Sequence, residues 1–205
     1  MGVVSLDVLR QMSLMATVLV MTATKVVAWC ENKPYDMAGK ETVTQIHFYF
    51  HDIVGAKNAT GVRVAEAPST NQSATSFGAL VIVDDALTEG PELTSKLVGR
   101  AQGLYGYVSL EEPVLLMALS YYFIDENFNG STLTTLTRNP FPDTYREFPI
   151  IGGTGLFRYA RGVVEAKSHS FNATNGDGIV EYNVTVIHYC SPEMLKNNWG
   201  AHATT

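Results

Sequence analysis

The chain has 205 residues, of which 46% are hydrophobic and 17% are charged. This composition excludes an intrinsically disordered chain and allows one domain with a full core. The formal net charge is -6 at pH 7 and the basic residues are scattered along the chain, so nucleic acid and anionic membrane surfaces are not expected as partners.

The first 28 residues have the layout of a secretory signal peptide. Arg10 precedes the apolar run Met12–Met21, which is too short to span a bilayer comfortably. Asp7 weakens the positive start of this segment, and an uncleaved anchor is the alternative. We therefore expect a secreted protein with no membrane segment in its mature form. A linker is predicted over 29–43, a folded domain over 44–190 and a polar tail over 191–205.

Two further features are typical of an exported chain. Five N-x-S/T sequons occur, at Asn58, Asn71, Asn129, Asn172 and Asn183, and each is a candidate glycosylation site. The two cysteines, Cys30 and Cys190, flank the predicted strands and could form a disulfide in an oxidising compartment. Two free thiols, or loss of Cys30 with the signal peptide, are the alternatives.

After the signal peptide, the predicted elements are all strands. Hydrophobic patterns bounded by turn residues predict strands over 44–54, 62–67, 77–85, 98–108, 114–125, 131–138, 156–170 and 178–189. Eight or more strands at regular spacing, with no convincing helix among them, predict an all-β fold in the form of an antiparallel barrel.

The first predicted strand ends in a carboxylate. Because side chains alternate across a strand, Phe48, Phe50 and Asp52 share one face. If that face lines the barrel interior, Asp52 lies at the mouth or wall of an apolar cavity, where a carboxylate is costly unless it is used or paired. An ordinary strand-end aspartate is the alternative. His47 and His51 fall on the other face and are predicted to face solvent.

The strand over 98–108 has an unusual face, on which small residues precede two phenols. This face carries Gly99, Ala101, Gly103, Tyr105 and Tyr107. In a barrel, such a face leaves space and then supplies hydroxyl groups, which predicts a cavity with polar groups in its wall. A bent strand with tyrosines in a plain core is the alternative.

The candidate site residues favour acid-base and electrostatic chemistry. Asp52 could accept a proton, Tyr105 or Tyr107 could donate a hydrogen bond, and Arg146 could bind or polarise an oxygen. A surface ion pair with Glu147 is the alternative for Arg146. The glycine cluster at 152–155 is followed by neither Gly-Lys-Ser/Thr nor a helical pattern, so it is predicted to be a tight turn and not a nucleotide loop. No metal or cofactor is expected.

Five segments together resemble the plant dirigent proteins. They are HFYFHDIV at 47–54, FGALVIVDD at 77–85, SKLVGRAQGLYGY at 95–107, NGSTL at 129–133 and REFPIIGGTGLFRYARG at 146–162. The resemblance covers residues 44–189. It implies an eight-stranded, calycin-like β-barrel similar to allene oxide cyclase. It also implies a glycoprotein of the apoplast or cell wall that assembles as a homotrimer or homodimer.

The resemblance further implies a function in lignan and phenylpropanoid biosynthesis. The cavity would hold phenoxy radicals, or quinone methides derived from them, so that a phenolic substrate gives one stereoisomer. An external oxidase of the laccase or peroxidase type would supply the radicals. Asp52, Arg146, Tyr105 and Tyr107 match the motif positions of the family and are expected to be catalytic. Arg146 or a tyrosine would stabilise the quinone methide oxygen, and Asp52 would take the proton of the attacking hydroxyl.

Asn139 stands where lignan-forming members carry a second cavity aspartate. In this respect the chain looks more like the branch that includes pterocarpan synthase, which dehydrates an isoflavanol through a quinone methide. Three hypotheses follow from the resemblance. The first is a protein that directs radical coupling without oxidising anything itself, the second is a dehydratase/cyclase, and the third is a non-catalytic barrel that binds a phenolic.

Overall fold

The computed structural model describes residues 40–190. The predicted signal peptide, residues 29–39 of the linker with Cys30, and the tail over 191–205 lie outside the described residues. Two short 3-10 helices, at Thr70–Gln72 and Gly155–Phe157, accompany the strands. The strands are β1 Lys40–Asp52, β2 Gly61–Ala65, β3 Leu80–Thr88, β4 Leu97–Tyr107, β5 Leu115–Phe123, β6 Thr132–Asn139, β7 Tyr145–Thr154, β8 Arg161–Phe171 and β9 Gly178–Cys190.

The strands form one antiparallel sheet in the order β1-β9-β8-β7-β6-β5-β4-β3-β2. The sheet closes because β1 also pairs with β3, with His51 opposite Ala86. β2 occupies the rest of the same edge of β3, with Gly61 opposite Val83. β1 and β2 therefore act together as one interrupted strand, and the sheet is the closed eight-stranded barrel that the sequence predicts.

Alternation along the strands separates the interior of the barrel from its surface. Phe48 is fully buried and packs against Tyr121 and Tyr182, with ring centroids 5.7 and 5.4 Å apart. At the other end of this aromatic group, Phe157 contacts Phe123 at a centroid distance of 5.8 Å. These rings fill one end of the interior and leave the opposite end free for a cavity. Within residues 40–190 no helix is long and apolar enough to cross a membrane.

The prediction of a turn over the whole glycine cluster is wrong. Gly152 and Gly153 lie inside β7, and the turn begins at Gly155, which has a φ of +63°. A methyl group on Gly153 would lie 2.6 Å from the carbonyl oxygen of Thr132 and 2.7 Å from Phe157. Gly153 is therefore required for close packing between β7, β6 and the following 3-10 helix.

The prediction that both strand histidines face solvent is wrong for His51. His47 is exposed, but His51 is only 1% exposed. Its Nε2 lies 2.7 Å from the hydroxyl of Thr88, which in turn donates to the carbonyl oxygen of Gly90. The outer face of β1 is thus covered where β1 pairs with β3, and alternation alone does not reveal such cover.

Candidate active site

One end of the barrel interior is a cavity of about 310 Å³, the size of a small-molecule site. Its wall is built from the carboxyl ends of β1, β4, β6 and β8 and from the amino ends of β5, β7 and β9. Most of the lining is apolar or aromatic, and it includes Phe50, Leu115, Met117, Phe141, Phe171 and Val180.

All four residues that the sequence singles out line this one cavity: Asp52, Tyr105, Tyr107 and Arg146. Asp52 is the last residue of β1, and the tyrosines lie at the end of β4. Arg146 is the second residue of β7, which is separated from β1 around the barrel by β9 and β8. Its side chain is only 9% exposed, whereas Glu147 lies on the exposed face, so the two do not form the surface ion pair considered as the alternative.

Asp52 is a carboxyl group whose ionisation is opposed by its surroundings. Burial raises the pKa of Asp52 to about 6, a hydrogen bond from Tyr105 opposes this shift, and the negative charge of Asp177 adds to it. Its Oδ1 is buried and has no hydrogen-bond partner among the described residues. A carboxyl group with a pKa near neutrality is suited to giving and taking a proton in one reaction cycle.

The two phenols remain protonated. Burial and the neighbouring charge of Asp52 raise the pKa of Tyr105 and of Tyr107 above the ordinary tyrosine value. Their rings meet edge to face at a centroid distance of 6.1 Å, and Tyr107 also contacts Phe141. Both hydroxyl groups are therefore hydrogen-bond donors held in a rigid aromatic wall.

Arg146 provides a positive charge that its neighbours do not neutralise. Its Nη1 donates to Oδ1 of Asn139 at 3.2 Å, and its Nη2 donates to the hydroxyl of Ser168 at 3.0 Å. Its Nε is buried and has no partner among the described residues. Burial lowers the pKa of Arg146, but a guanidinium keeps its proton in proteins. Both hydrogen-bond partners are neutral, and the carboxylate of Asp143 acts on the guanidinium without an ion pair to it among the described residues. This wall of the cavity therefore favours an anionic or strongly polarised oxygen.

Asn139 holds the guanidinium in place. Its Nδ2 lies 2.8 Å from the sulfur of Met117, which directs its carbonyl oxygen towards Arg146. The resemblance marks Asn139 only as the position of a second cavity aspartate in lignan-forming members, and Ser168 was not predicted as a site residue. Asn139 ends β6 and Ser168 lies near the end of β8, and the strand period could have indicated both once Arg146 was placed.

Asp85 is a buried carboxyl group that the sequence analysis did not select. It is fully buried, and its Oδ1 accepts a hydrogen bond from the hydroxyl of Thr60. Burial and the charge of Asp52 raise the pKa of Asp85 to about 8. The sequence pattern that could have indicated Asp85 is the alternation in β3. Val81, Val83 and Asp85 share one strand face, and the two valines already mark that face as the inward one.

Residues 43–187 match the family model of the dirigent-like proteins. The chain belongs to the dirigent family. Dirigent protein 21 of Arabidopsis thaliana is 50% identical over 155 residues, which are 76% of this chain and 82% of the relative. Pterocarpan synthase 1 of Glycyrrhiza echinata is 48% identical over 151 residues, which are 73% of this chain and 80% of the relative.

A solved structure of a pterocarpan synthase dirigent protein also matches, with a TM-score of 0.69 and 47% identity. The match covers 74% of this chain and 88% of the solved one. The barrel described above is therefore a dirigent barrel. Among its residues 40–190, no group of three or more His, Cys, Asp and Glu side chains could hold a metal ion.

Proposed function

We propose that this dirigent protein binds a quinone methide derived from a phenolic substrate and directs its ring closure to one stereoisomer. The observation that carries the proposal is the set of groups around one apolar cavity. A carboxyl group with a near-neutral pKa and two phenol donors lie on one side, and an uncompensated guanidinium lies three strands away around the wall. The substrate would extend between these two sides.

Each group has a role in the ring closure. When a hydroxyl attacks the exocyclic carbon, a C–O bond forms and the quinone methide oxygen becomes a phenolate. Arg146 stabilises the charge that develops on this oxygen. Asp52 accepts the proton of the attacking hydroxyl, and Tyr105 fixes the carboxyl group through its hydrogen bond. The apolar wall excludes water, which would otherwise add to the quinone methide without stereocontrol.

The cavity favours a substrate that closes one ring. Among the described lining residues Asp52 is the only carboxylate, and Asn139 is neutral and engaged by Arg146. A single closure needs one base, whereas two coupled monolignol radicals give a bis-quinone methide that closes twice. A 2'-hydroxyisoflavanol loses water to form one quinone methide, which then closes once. Similarity to pterocarpan synthases from Glycyrrhiza echinata and Glycine max, at 48% and 47% identity, supports this choice.

In this version of the reaction, Asp52 acts twice. Protonated Asp52 donates to the departing hydroxyl, which leaves as water, while the phenol that becomes the quinone methide oxygen gives up its proton to solvent at the open end of the cavity. Ionised Asp52 then takes the proton of the attacking 2'-hydroxyl, and the phenolate at Arg146 regains a proton from solvent. The net reaction is loss of one water. A pKa of about 6 lets one carboxyl group serve as acid and then as base.

Stereoselective coupling of monolignol radicals is the second candidate. Membership of the dirigent family and the similarity to Dirigent protein 21 favour it. A separate laccase or peroxidase would make the radicals, and the same aromatic wall would orient them. The cavity would then act on the bis-quinone methide that forms when two radicals join.

The test incubates the purified protein with a 2'-hydroxyisoflavanol in the absence of an oxidase, and in parallel with coniferyl alcohol and a one-electron oxidase. Chiral chromatography follows in both arms. We expect one pterocarpan enantiomer from the first arm, and a loss of at least about a hundredfold in rate in Asp52→Ala and Arg146→Gln. Asp84→Asn is the matched control, because Asp84 is exposed and binds Arg100 outside the barrel.

Enantiomeric excess in the lignan arm alone would replace the first candidate by the second. Racemic products in both arms, together with tight binding of the phenolic, would mean that the barrel only binds its ligand. Arg146→Lys separates charge from geometry, because lysine keeps the charge but lacks the planar fork of donors.

We also propose that further copies of the chain cover an apolar stripe on the outside of the barrel. Direct cross-strand partners form this stripe on five adjacent strands: Val62, Ile82, Leu104, Ala118 and Leu136. Four of them are exposed large apolar residues in the single chain. A contiguous apolar surface of this kind is typical of an interface, and a homotrimer is the assembly that we propose.

Export and glycosylation are part of the same proposal. All five sequon asparagines are exposed in the barrel, on strands or loops that a glycan can reach: Asn58, Asn71, Asn129, Asn172 and Asn183. This exposure supports modification in the secretory pathway on the way to the apoplast. Mass spectrometry of the protein from a plant host, with and without glycosidase, measures which sites are occupied.

A further inference from the structure

The half-buried carboxyl group of Asp52 and the fully buried one of Asp85 lie in the region where β1 leaves the barrel wall. The pairing of β1 with β3 places Phe50 opposite Leu87 and His51 opposite Ala86. The observed pairing ends at His51, and the same register extended by one residue would place Asp52 opposite Asp85 on the inward face. The charge of Asp52 acts on Asp85, as this arrangement requires. β1 ends at Asp52, and the chain leaves the barrel wall there before it returns at Gly61 in β2. We call the region around Asp52 and Asp85 the corner.

The chain that returns to the wall closes this corner around the two carboxyl groups. The amide of Thr60 donates to the carbonyl oxygen of Ile53 at 2.7 Å, and the carbonyl oxygen of Thr60 accepts from the amide of Asp84 at 3.0 Å. The next residue is Gly61. A methyl group there would lie 3.1 Å from Oδ1 of Asp52, so the glycine leaves room for the carboxyl group.

One oxygen of each carboxyl group has no partner. Oδ1 of Asp52 and Oδ2 of Asp85 are both buried and receive no hydrogen bond from the described residues. The remaining oxygen of Asp85, Oδ1, is bound by the hydroxyl of Thr60. Two ionised carboxylates side by side in a buried corner would repel each other and leave both free oxygens unsatisfied. A single proton shared between them would remove the repulsion and give both free oxygens a partner.

We propose that Asp85 is a positioning residue that shares one proton with Asp52, directly or through one water. Asp85 keeps the proton behind the cavity wall, and Asp52 presents the charged oxygen to the substrate. The proposal rests on the proposed function, because it assigns Asp85 to the same proton transfer. It also makes the pair, and not Asp52 alone, the unit that titrates.

The groups that face the pair do not provide another counter-charge. Tyr105 on β4 and Tyr182 on β9 are neutral phenols, and Asp177 before β9 adds negative charge. Arg100 and Asp84 act on Asp85 with opposite sign from outside the barrel, where they bind each other at 2.6 Å. With one proton shared between Asp52 and Asp85, the two carboxyl groups together have a charge of one and not of two, and no other counter-charge is needed.

The experiment is an NMR titration of the carboxyl carbons of aspartate-labelled protein between pH 4 and pH 10. For the pair we expect two linked titrations, near 6 and near 8. Asp52→Asn should lower the pKa of Asp85 by at least about 1, because the neighbouring charge is gone. Asp85→Leu should raise the pKa of Asp52, because the shared proton is lost, whereas Asp85→Asn keeps a donor and should change it less.

Glu112→Gln is the control and should leave both titrations in place, because Glu112 is exposed and binds Arg138 on the outside of the barrel. Either carboxyl group titrating at the same pH whether or not the other is present would overturn the proposal. If Asp85→Leu does not fold, Asp52→Asn still decides the matter, because an unchanged pKa of Asp85 in that variant would overturn the proposal. These titrations need no substrate, so they stand or fall independently of the proposed function.

The pH dependence of turnover adds a readout that a merely structural role would not move. Asp85→Leu should move the limb of the rate profile that reports Asp52 from about 6 to higher pH, in step with the NMR titration of Asp52. A lower rate with an unmoved limb would mean that Asp85 only supports packing. Linked titrations without turnover of either substrate would contradict the proposed function and leave the shared proton intact.

Discussion

Asp85 is a buried acid whose neutral form is favoured in the folded protein, and this makes the stability of the protein depend on pH. The folded state raises the pKa of its carboxyl group from 3.8 to about 8. The folded protein therefore binds this proton more tightly than the unfolded chain does. Asp52, with its pKa of about 6, adds to the effect over a narrower range.

The free energy of unfolding therefore decreases as the pH rises. The contribution of Asp85 to stability is fully present below pH 4 and is lost as the pH rises towards 8. With about 1.4 kcal/mol for each pKa unit, the loss is on the order of several kcal/mol. Asp85→Asn cannot ionise, so we expect its free energy of unfolding relative to the parent protein to improve by a few kcal/mol between pH 5 and pH 9.

Urea unfolding at pH 5, 7 and 9 measures this difference. Asp84→Asn serves as the control, since Arg100 holds the pKa of the exposed Asp84 below its usual value and alkaline pH does not change its charge. Parallel stability curves for the parent protein and Asp85→Asn would show that Asp85 is not buried as a neutral acid.

At the scale of one element, β4 shows how the backbone creates space for the cavity. Gly103 lies between Ala101 and Tyr105 with a φ of +152°, a conformation that side chains rarely adopt. A methyl group there would overlap the carbonyl oxygen of Ala118 on β5. The close approach of β4 and β5 therefore depends on this glycine, and it sets the position of the two phenols that follow.

Gly103→Ala is expected to destabilise the barrel by about 2–4 kcal/mol, because both the backbone conformation and the contact with β5 are lost. Gly106→Ala is the matched control on the same strand, since the nearest atoms to its methyl group are 3.7 Å away. Thermal unfolding of the two variants measures the difference. Equal melting temperatures would mean that β4 relaxes at no cost.

β4 also shows which features of the site could be predicted from the sequence and which could not. Alternation placed Tyr105 and Tyr107 on the inward face, and the cavity contains both. The period of a strand reports its two faces, but it does not report what covers the outer face, and so His51 was misplaced. Asp85 was missed for a related reason: its role depends on Asp52 and Thr60, which the register of β1, β2 and β3 brings to it and which no local pattern encodes.

At the scale of the whole molecule, the apolar stripe on β2 to β6 is the surface that a second copy would cover. Leu104 lies at its centre and is exposed in the single chain. We expect Leu104→Lys to shift the solution mass from that of an oligomer to that of a single barrel, because burying a lysine in an apolar interface is unfavourable.

Light scattering after gel filtration measures the mass. Val43→Lys is the control, because Val43 is also apolar and is more exposed than Leu104, but it lies on β1, away from the stripe. A parent protein that elutes as a monomer, or a Leu104→Lys variant that keeps the oligomer mass, would contradict the proposed assembly.

The closure of the barrel also constrains how the protein is made. β1 pairs with β9 along its whole length, from Lys40 opposite Cys190 to Asp52 opposite Gly178. Among the described strands, β1 is synthesised first and β9 last. β1 therefore cannot complete its pairing until β9 has been made, and its apolar inward face is uncovered until then. Most residues of the cavity precede Gly178 in the chain. A polypeptide that stops before that point carries most of the lining of the site but has no closed wall to hold it.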